Sequence, residues 1–437
     1  MSNIRPICIQ NSQMIDPAQQ RNEICDVWLK NGVIAEIGEN LETCEDTLCV
    51  DASDLVLAPG LIDLKVKTGE PGSEHREDLR SAGISAAAGG VTTMVIAPDT
   101  DPAIDDAALV EFISRSSQTK SIVNVLPAGA LTKDLRGEQM AEIGLMSEAG
   151  AVLFSNGDHA IASAAIMRKV LAYSGAFNAL VSCRPEEPTL AEGGVMHSGE
   201  LSSRLGLSGI PIAAETINIS RDIALAELTG GRLLIDQVSS SAGVALIREA
   251  KAKGLDVYAS VSVHHLCLNE LDVSGYRTFA RLSPPLRSEA DRLGLIAGII
   301  DGSIDVIVSA HDPRPAEEKR LPFAESSAGA CGLETLLSGV LSLVHNGNTD
   351  LITALRPLTS APAELLGINC GTIKIGSPAD LVLIDLYKPW VCDADKLLSK
   401  SKNTPFDERK MQGCAVATLV EGRTVYDANG WFIKEET

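Results

Sequence analysis

A parallel α/β fold, with a closed (β/α)8 TIM barrel and a small β-sandwich domain formed from both termini, is predicted by three observations. The chain has 437 residues, more than a single domain of ~150 residues needs. Between residues 61 and 347 short β-rich runs alternate with longer helical patterns, the rhythm of parallel strands joined by crossover helices. Outside that span both ends carry short strands of alternating polarity closed by turn dipeptides.

The N-terminal flank, residues 1–58, contains DVWLKNGVIAEIG, in which Asn31 and Gly32 give a hairpin signal. Eight strands follow: LIDLKVK (61–67), VTTMVIA (91–97), IVNVLPA (122–128), AVLFSN (151–156), ALVSCR (179–184), RLLIDQV (232–238), VYASVSV (257–263) and DVIVSA (305–310). Helical patterns such as IASAAIMRKVLAYSG, SAGVALIREAKAKG and EADRLGLIAGIIDG lie between them. Eight parallel strands in roughly 290 residues fit a closed barrel, whose reactive residues belong at the C-terminal strand ends. An open doubly wound sheet is the competing fold, but no glycine-rich dinucleotide turn follows the first strand, and GGVTT at Gly89 precedes a strand. The C-terminal flank brings GTIKIG, ADLVLIDL and AVATLVEGRTVYD. Neither flank alone has enough strands for a stable unit. Residues 1–58 and 370–437 are therefore expected to pair as one composite domain beside a barrel of residues 59–369.

With 45% hydrophobic but only 3% aromatic residues, the core must be built from Ala, Leu, Ile and Val. The 37 basic and 58 acidic residues give a formal charge of −21, which repels phosphate backbones and anionic lipids, so neither nucleic acid nor a membrane is an expected partner. The N-terminus lacks a basic segment followed by an apolar run, and no stretch approaches ~18 uninterrupted apolar residues. A cytoplasmic protein is expected. Ten Cys without a CxxC pair read as reduced, mostly buried thiols, and the pair closest in sequence, Cys44 and Cys49, is assigned no redox role.

The ordered strings APGLID, EPGSEHREDL, AAAGGVTT, EGGVMHSGE, GLSGIP, VHHLCLNE, SPPLR, HDPRPAEEK, GLET, SAPAELLG, GSPADLVLID and KNTPF cover nearly the whole chain. Together they resemble dihydroorotase and its cyclic-amidase relatives in the amidohydrolase superfamily. The resemblance implies a barrel with a β-sandwich from both termini, and one or two zinc ions that activate water beside an Asp acid/base. Carried over position by position, most of those roles meet another residue here. The first-strand pattern DxHxHxRxPG reads Asp63, Lys65, Lys67, Gly69, Pro71 and Gly72, so two metal-binding imidazoles become lysines, whose ammonium groups have no lone pair to give. The substrate-binding Asn falls at Asp99, and the SDDG metal carboxylate at Asn156. The fifth-strand His falls at Arg184, or at Cys183 if the alignment shifts by one, and the sixth-strand His at Gln237. The Asn before PPLR is Ser283, and the TDHAPH string places Ala310 at the catalytic Asp and Arg314 at its second His.

The resulting expectation is a dismantled metal site, with no cofactor. In it Lys65, Lys67, Arg184 and Arg314 supply the positive charge of a binuclear metal and pair with Asp63, Asp99, Asp158 or Asp312. The lysines have functional alternatives as an anion clamp, a carboxylated metal bridge or a desolvated amine nucleophile. His264, His265 and His311 could retain metal, but a supporting role behind the site or in packing is expected. Arg287 of SPPLR could hold a carboxylate bidentately or shape the rim. His75, Glu77 and Asp78 read as a loop-locking network, and Glu334 as helix-start chemistry. The function expected on these grounds is a non-catalytic dihydroorotase-like protein of pyrimidine biosynthesis, the resemblance implying aspartate carbamoyltransferase as a partner, or else a homo-oligomer. Two alternatives stand beside it. One is an active cyclic-amide hydrolase of the dihydroorotase type, using zinc with His264, His311 or Asp312. The other is a small-anion sensor built on Lys65, Lys67, Arg184 and Arg314.

Overall fold

The computed structural model describes residues 5–432. Eight parallel strands run in chain order around a barrel: Leu61–Val66, Val91–Ile96, Asn124–Ala130, Leu153–Ser155, Val181–Cys183, Leu233–Ile235, Val257–Ser262 and Val306–Val308. Each lies inside or within two residues of its predicted run. The third begins later than expected because Ser121, at the end of helix Ala107–Lys120, still donates its backbone N–H to Ser117.

The barrel is joined across its first and last strands by a parallel bridge between Val66 and His311 and by the Lys67 N–H to the His311 carbonyl at 2.9 Å. The Asp63 carboxylate stitches the same seam, accepting the backbone N–H groups of Lys65 and Ser309, each at 3.2 Å. Inside, Ile62, Leu64, Val95, Leu153, Leu180, Leu234, Val306 and Val308 form one apolar cluster with Ala363 and Leu365. The last two lie on helix Ser360–Leu366, which covers the N-terminal strand ends, where Arg232 donates to the Leu365 carbonyl at 2.9 Å. Closing that end leaves the C-terminal mouth as the open face.

Gly89 and Gly90 of GGVTT turn the first helix into the second strand. A Cβ on Gly89 would lie 2.2 Å from the Leu333 carbonyl oxygen, and Gly90 has φ +83°, so only glycine fits this turn.

Besides a two-stranded pair, Met196–His197 with Gly209–Ile210, the remaining strands form one hydrogen-bonded path from both ends of the chain: Arg423–Asp427, Lys410–Val420, Leu381–Val391, Val56–Pro59, Ile7–Asp16, Arg21–Lys30 and Val33–Gly38, with Leu48–Asp51 added beside Ile7–Asp16. The NG and EG signals are hairpin turns with left-handed backbone at both central positions, Asn31 (φ 53°) with Gly32, and Glu421 (φ 47°) with Gly422. The 18-residue loop between Leu381–Val391 and Lys410–Val420 leaves this sheet and reaches the barrel rim. Among the described residues no helix is long and apolar enough to cross a membrane. All ten cysteines are free; five are buried, three half-buried, and Cys44 and Cys49 exposed.

Candidate active site

The strand ends converge on a mouth cavity of about 250 Å³ lined by Lys65, Lys67, Asp158, Gln237, His264, His265, Ser283, Ala310, His311, Asp312 and Arg314 among others. Two of its strand ends pass through left-handed backbone, Gln237 at φ 54° and Ala310 at φ 48°. Such conformations are costly for residues with a Cβ and cluster where a side chain must be re-aimed.

The first strand puts both lysines into a carboxylate lattice. Lys65 Nζ lies 2.5 Å from Asp236 and 3.1 Å from Asp158. Lys67 Nζ contacts Asp158 closely, Asp99 at 2.8 Å and Asp312 at 3.4 Å. Asp158 therefore bridges the two ammonium groups. Arg184 joins it at 3.6 Å, and also meets Glu186 and the Ser283 hydroxyl. Arg314 pairs with Asp312 at 2.8 Å and Glu318 at 3.7 Å.

Burial opposes the charge on Lys65, Lys67, Arg184, Arg314 and Asp158, and the lattice reverses that. Desolvation would discharge Lys65 and Lys67, but the fields of Asp236 and Asp158 on the first, and of Asp158, Asp312 and Asp99 on the second, outweigh it and raise both amines. Burial likewise works against the Asp158 carboxylate, yet Lys67, Lys65 and Arg184 hold it well below its ordinary value. The geometry favours the paired-cation reading of both lysines over the carboxylated bridge and the amine nucleophile.

Several expected pairings differ. Asp63 takes no lysine, because its carboxylate faces backbone N–H groups at the barrel seam, and burial pushes it up to about 6. Its place is taken by Asp236, which sequence reasoning passed over in favour of the adjacent Gln237. Glu186 and Glu318 complete the pairing of the arginines. Asn156 turns away from the mouth onto the Thr132 hydroxyl and backbone. Arg287 is buried away from the cavity, donating to the Ile210 carbonyl and the Ser239 hydroxyl beside His197. It braces the rim there.

His264 and His265 are neutral fixtures. Burial, reinforced by the neighbouring rings, takes His264 down to about 3, and burial takes His265 to about 4. His265 Nε2 donates to the Pro284 carbonyl, and His264 stacks on Phe406 with ring centres 5.4 Å apart. His311 Nδ1 accepts the Gly332 N–H, which leaves its Nε2 hydrogen facing Glu77 at 3.5 Å. Glu77 and Asp78 do lock a loop, gripping Ser399 and Lys400, whereas His75 is exposed. Glu334 does stand in the first turn of the helical stretch that begins at Leu333, and its carboxylate reaches outward to accept the N–H groups of Leu398 and Ser399 and the Ser85 hydroxyl.

The sheet's long loop completes the rim. Asn403 donates to the carbonyls of Asp312 and Gly329 and accepts the Arg314 N–H. Only the KNTPF string hinted at this role. Among the described residues no group of three or more His, Cys, Asp or Glu side chains is placed to hold a metal ion. The donor set agrees, since the carboxylates facing the mouth are already bound by ammonium and guanidinium groups. The residues present do not fit the zinc of the amidohydrolase pattern.

Residues 54–242 match the dihydro-orotase-like family model, and residues 233–425 match the amidohydrolase family. A protein named dihydroorotase from Citrifermentans bemidjiense is 40% identical over 422 residues, 97% of this chain and 100% of its own. One from Pelotomaculum thermopropionicum is 40% identical over 96% of this chain and 98% of its own. Among solved structures, the L-hydantoinase (dihydropyrimidinase) from Arthrobacter aurescens superposes with TM-score 0.87 at 25% identity, covering 97% of this chain and 96% of that one. These relatives overturn the expectation of a non-catalytic scaffold. That expectation weighed a handful of strand-end residues, whereas the likeness to proteins named for the enzyme runs end to end. The chain belongs to the dihydroorotase-like branch of the amidohydrolase family.

Proposed function

We propose that this protein is a cyclic-amide hydrolase of the dihydroorotase type, opening dihydroorotate to N-carbamoyl-aspartate and closing it in reverse. Water adds to the ring carbonyl carbon, the C–N bond breaks, and the nitrogen takes up a proton. The observation that carries this reading is the 40% identity to a protein named dihydroorotase across 97% of the chain.

The mouth cavity supports it in size and chemistry. About 250 Å³ suits a single small ring. Arg314 lines the mouth with a guanidinium Nε that has no partner in the protein, a donor with which a carboxylate or a developing oxyanion can be stabilised. Neutral His264 offers an Nε2 with no partner in the protein, a hydrogen-bonding point for an amide or ureido group. Purified protein assayed with dihydroorotate, and with N-carbamoyl-aspartate in reverse, should turn over both. No turnover in either direction, beside an authentic dihydroorotase that sets the detection limit, would refute the reading.

A further inference from the structure

The carboxylates around the barrel mouth are held together by two ammonium groups standing where the amidohydrolase pattern has two imidazoles. We propose that Lys65 and Lys67 are the resident cations of this site, and that the mouth assembles and receives its ligand without a metal ion. The proposal rests on the hydrolase reading only for the location of the reacting site.

The geometry is that of a bridged pair of cations. Asp158, following the fourth strand, contacts both Nζ atoms. Asp236, following the sixth, binds Lys65 alone. Asp99 and Asp312, following the second and eighth, bind Lys67 alone. Four carboxylates from alternate strand ends are thus drawn together by two positive centres, with Asp158 shared between them. A divalent ion entering here would have to displace an ammonium from its carboxylates and would meet a second one beside it. Hard and borderline cations also need lone-pair donors, and ammonium groups supply none. The neutral ring of His264 cannot make a site alone, since catalytic zinc takes three protein ligands. Asp63, the first-strand carboxylate, is spent on the barrel seam, and Glu186 and Glu318 are paired with Arg184 and Arg314.

The test uses full-length protein from zinc-supplemented culture. Metal content is read by plasma mass spectrometry, and the thermal midpoint with EDTA and with added zinc chloride. Substoichiometric metal and a midpoint unmoved by either addition are expected, because an ion bound to the native state stabilises by mass action. Stoichiometric zinc with a midpoint that falls in EDTA overturns the proposal. A Lys65→Met/Lys67→Met variant gives a second readout, since its unpaired carboxylates should bind added calcium or zinc. Its midpoint should rise on that addition while the wild type stays still. A folded variant indifferent to both cations also overturns the proposal, and if the variant does not fold the wild-type measurements decide alone. Turnover on the same samples separates the two claims. Zinc-free protein without turnover refutes the hydrolase reading and leaves the ammonium pair standing, whereas zinc-dependent turnover upholds that reading and refutes the pair.

Discussion

Replacing Lys67 by methionine removes one charge and leaves Asp99, Asp158 and Asp312 facing one another. Their side chains are 11, 28 and 15% exposed, too buried for water to take over the ammonium's role. At an effective dielectric of ~20, one ammonium–carboxylate pair at the 2.8 Å of Lys67 and Asp99 carries roughly 6 kcal/mol of gross attraction. Much of that repays desolvation, and the net cost of orphaning a buried charge is about 3–5 kcal/mol. The loss has a defined pH window. Asp158 titrates below its ordinary 3.8, so its contribution is present above that value and is lost as pH falls through the lower folded value. Lys67 titrates above 10.5, so its contribution is complete below that value and fades only as pH rises through the higher folded value. Asp99 is left with no cation, while Lys65 and Arg184 still hold Asp158 and Arg314 still holds Asp312, so the deficit of the variant should be flat near neutrality and shrink as pH falls toward ~4, where the crowded carboxyls protonate. Urea unfolding followed by tryptophan fluorescence at a series of pH values reads it directly. Lys67→Arg should lose far less, and adding Asp158→Asn to Lys67→Met should recover part of the loss. A deficit under ~1 kcal/mol at neutral pH, the value of an exposed pair, or one independent of pH, would refute the account of the lattice.

Asp63→Asn should flatten the pH dependence of stability between 3.8 and about 6. There the folded carboxyl binds a proton that the unfolded one has lost, so wild-type stability falls as pH rises through that window, by about 3 kcal/mol in all; an unchanged slope in urea melts would contradict this. Asn403→Ala should raise KM for dihydroorotate more than it lowers stability, because the amide positions Asp312 and Arg314 from another domain's loop; equal KM in the variant would assign the residue to packing alone. Lys319→Met should cost roughly 1–3 kcal/mol, since the buried ammonium ties together the carbonyls of Thr278, Arg281 and Ser327, and its loss leaves the Ser327 carbonyl without that donor while Thr278 and Arg281 keep the N–H groups of Arg281 and Gly329. Hydrogen exchange should then quicken at those rim segments, and unchanged protection would disprove the tether.

The strands and turns of this protein are legible because they are local. Runs such as VTTMVIA are buried on both faces and need only their own apolar residues to declare themselves. Asn-Gly at 31–32 needs only its two left-handed residues. Alternating elements in sufficient number then leave few ways to bury every face except a closed barrel. Within the site, Lys65, Lys67, Arg184 and Arg314 could be read as charges in need of partners, because an unpaired buried cation does not survive. Asp99, Asp158 and Asp312 were legible among the carboxylates that answer them, but the replacement of Asp63 by Asp236 and the parts of Glu186 and Glu318 were not. A left-handed turn at Gln237 and a bulged register between Asp63 and Val66 decide which neighbouring side chain enters the mouth. Contacts such as Asn403 with Asp312, or Phe406 with His264, join residues about 90 and 140 positions apart along the chain. Local sequence thus determined the barrel, the terminal sheet and the cationic character of the mouth. Only the tertiary structure decided that Asp236 rather than Asp63 partners Lys65 and that Arg287 braces the rim, because those outcomes depend on a side chain's direction at the end of a strand, where one residue's rotation exchanges solvent, seam and cavity.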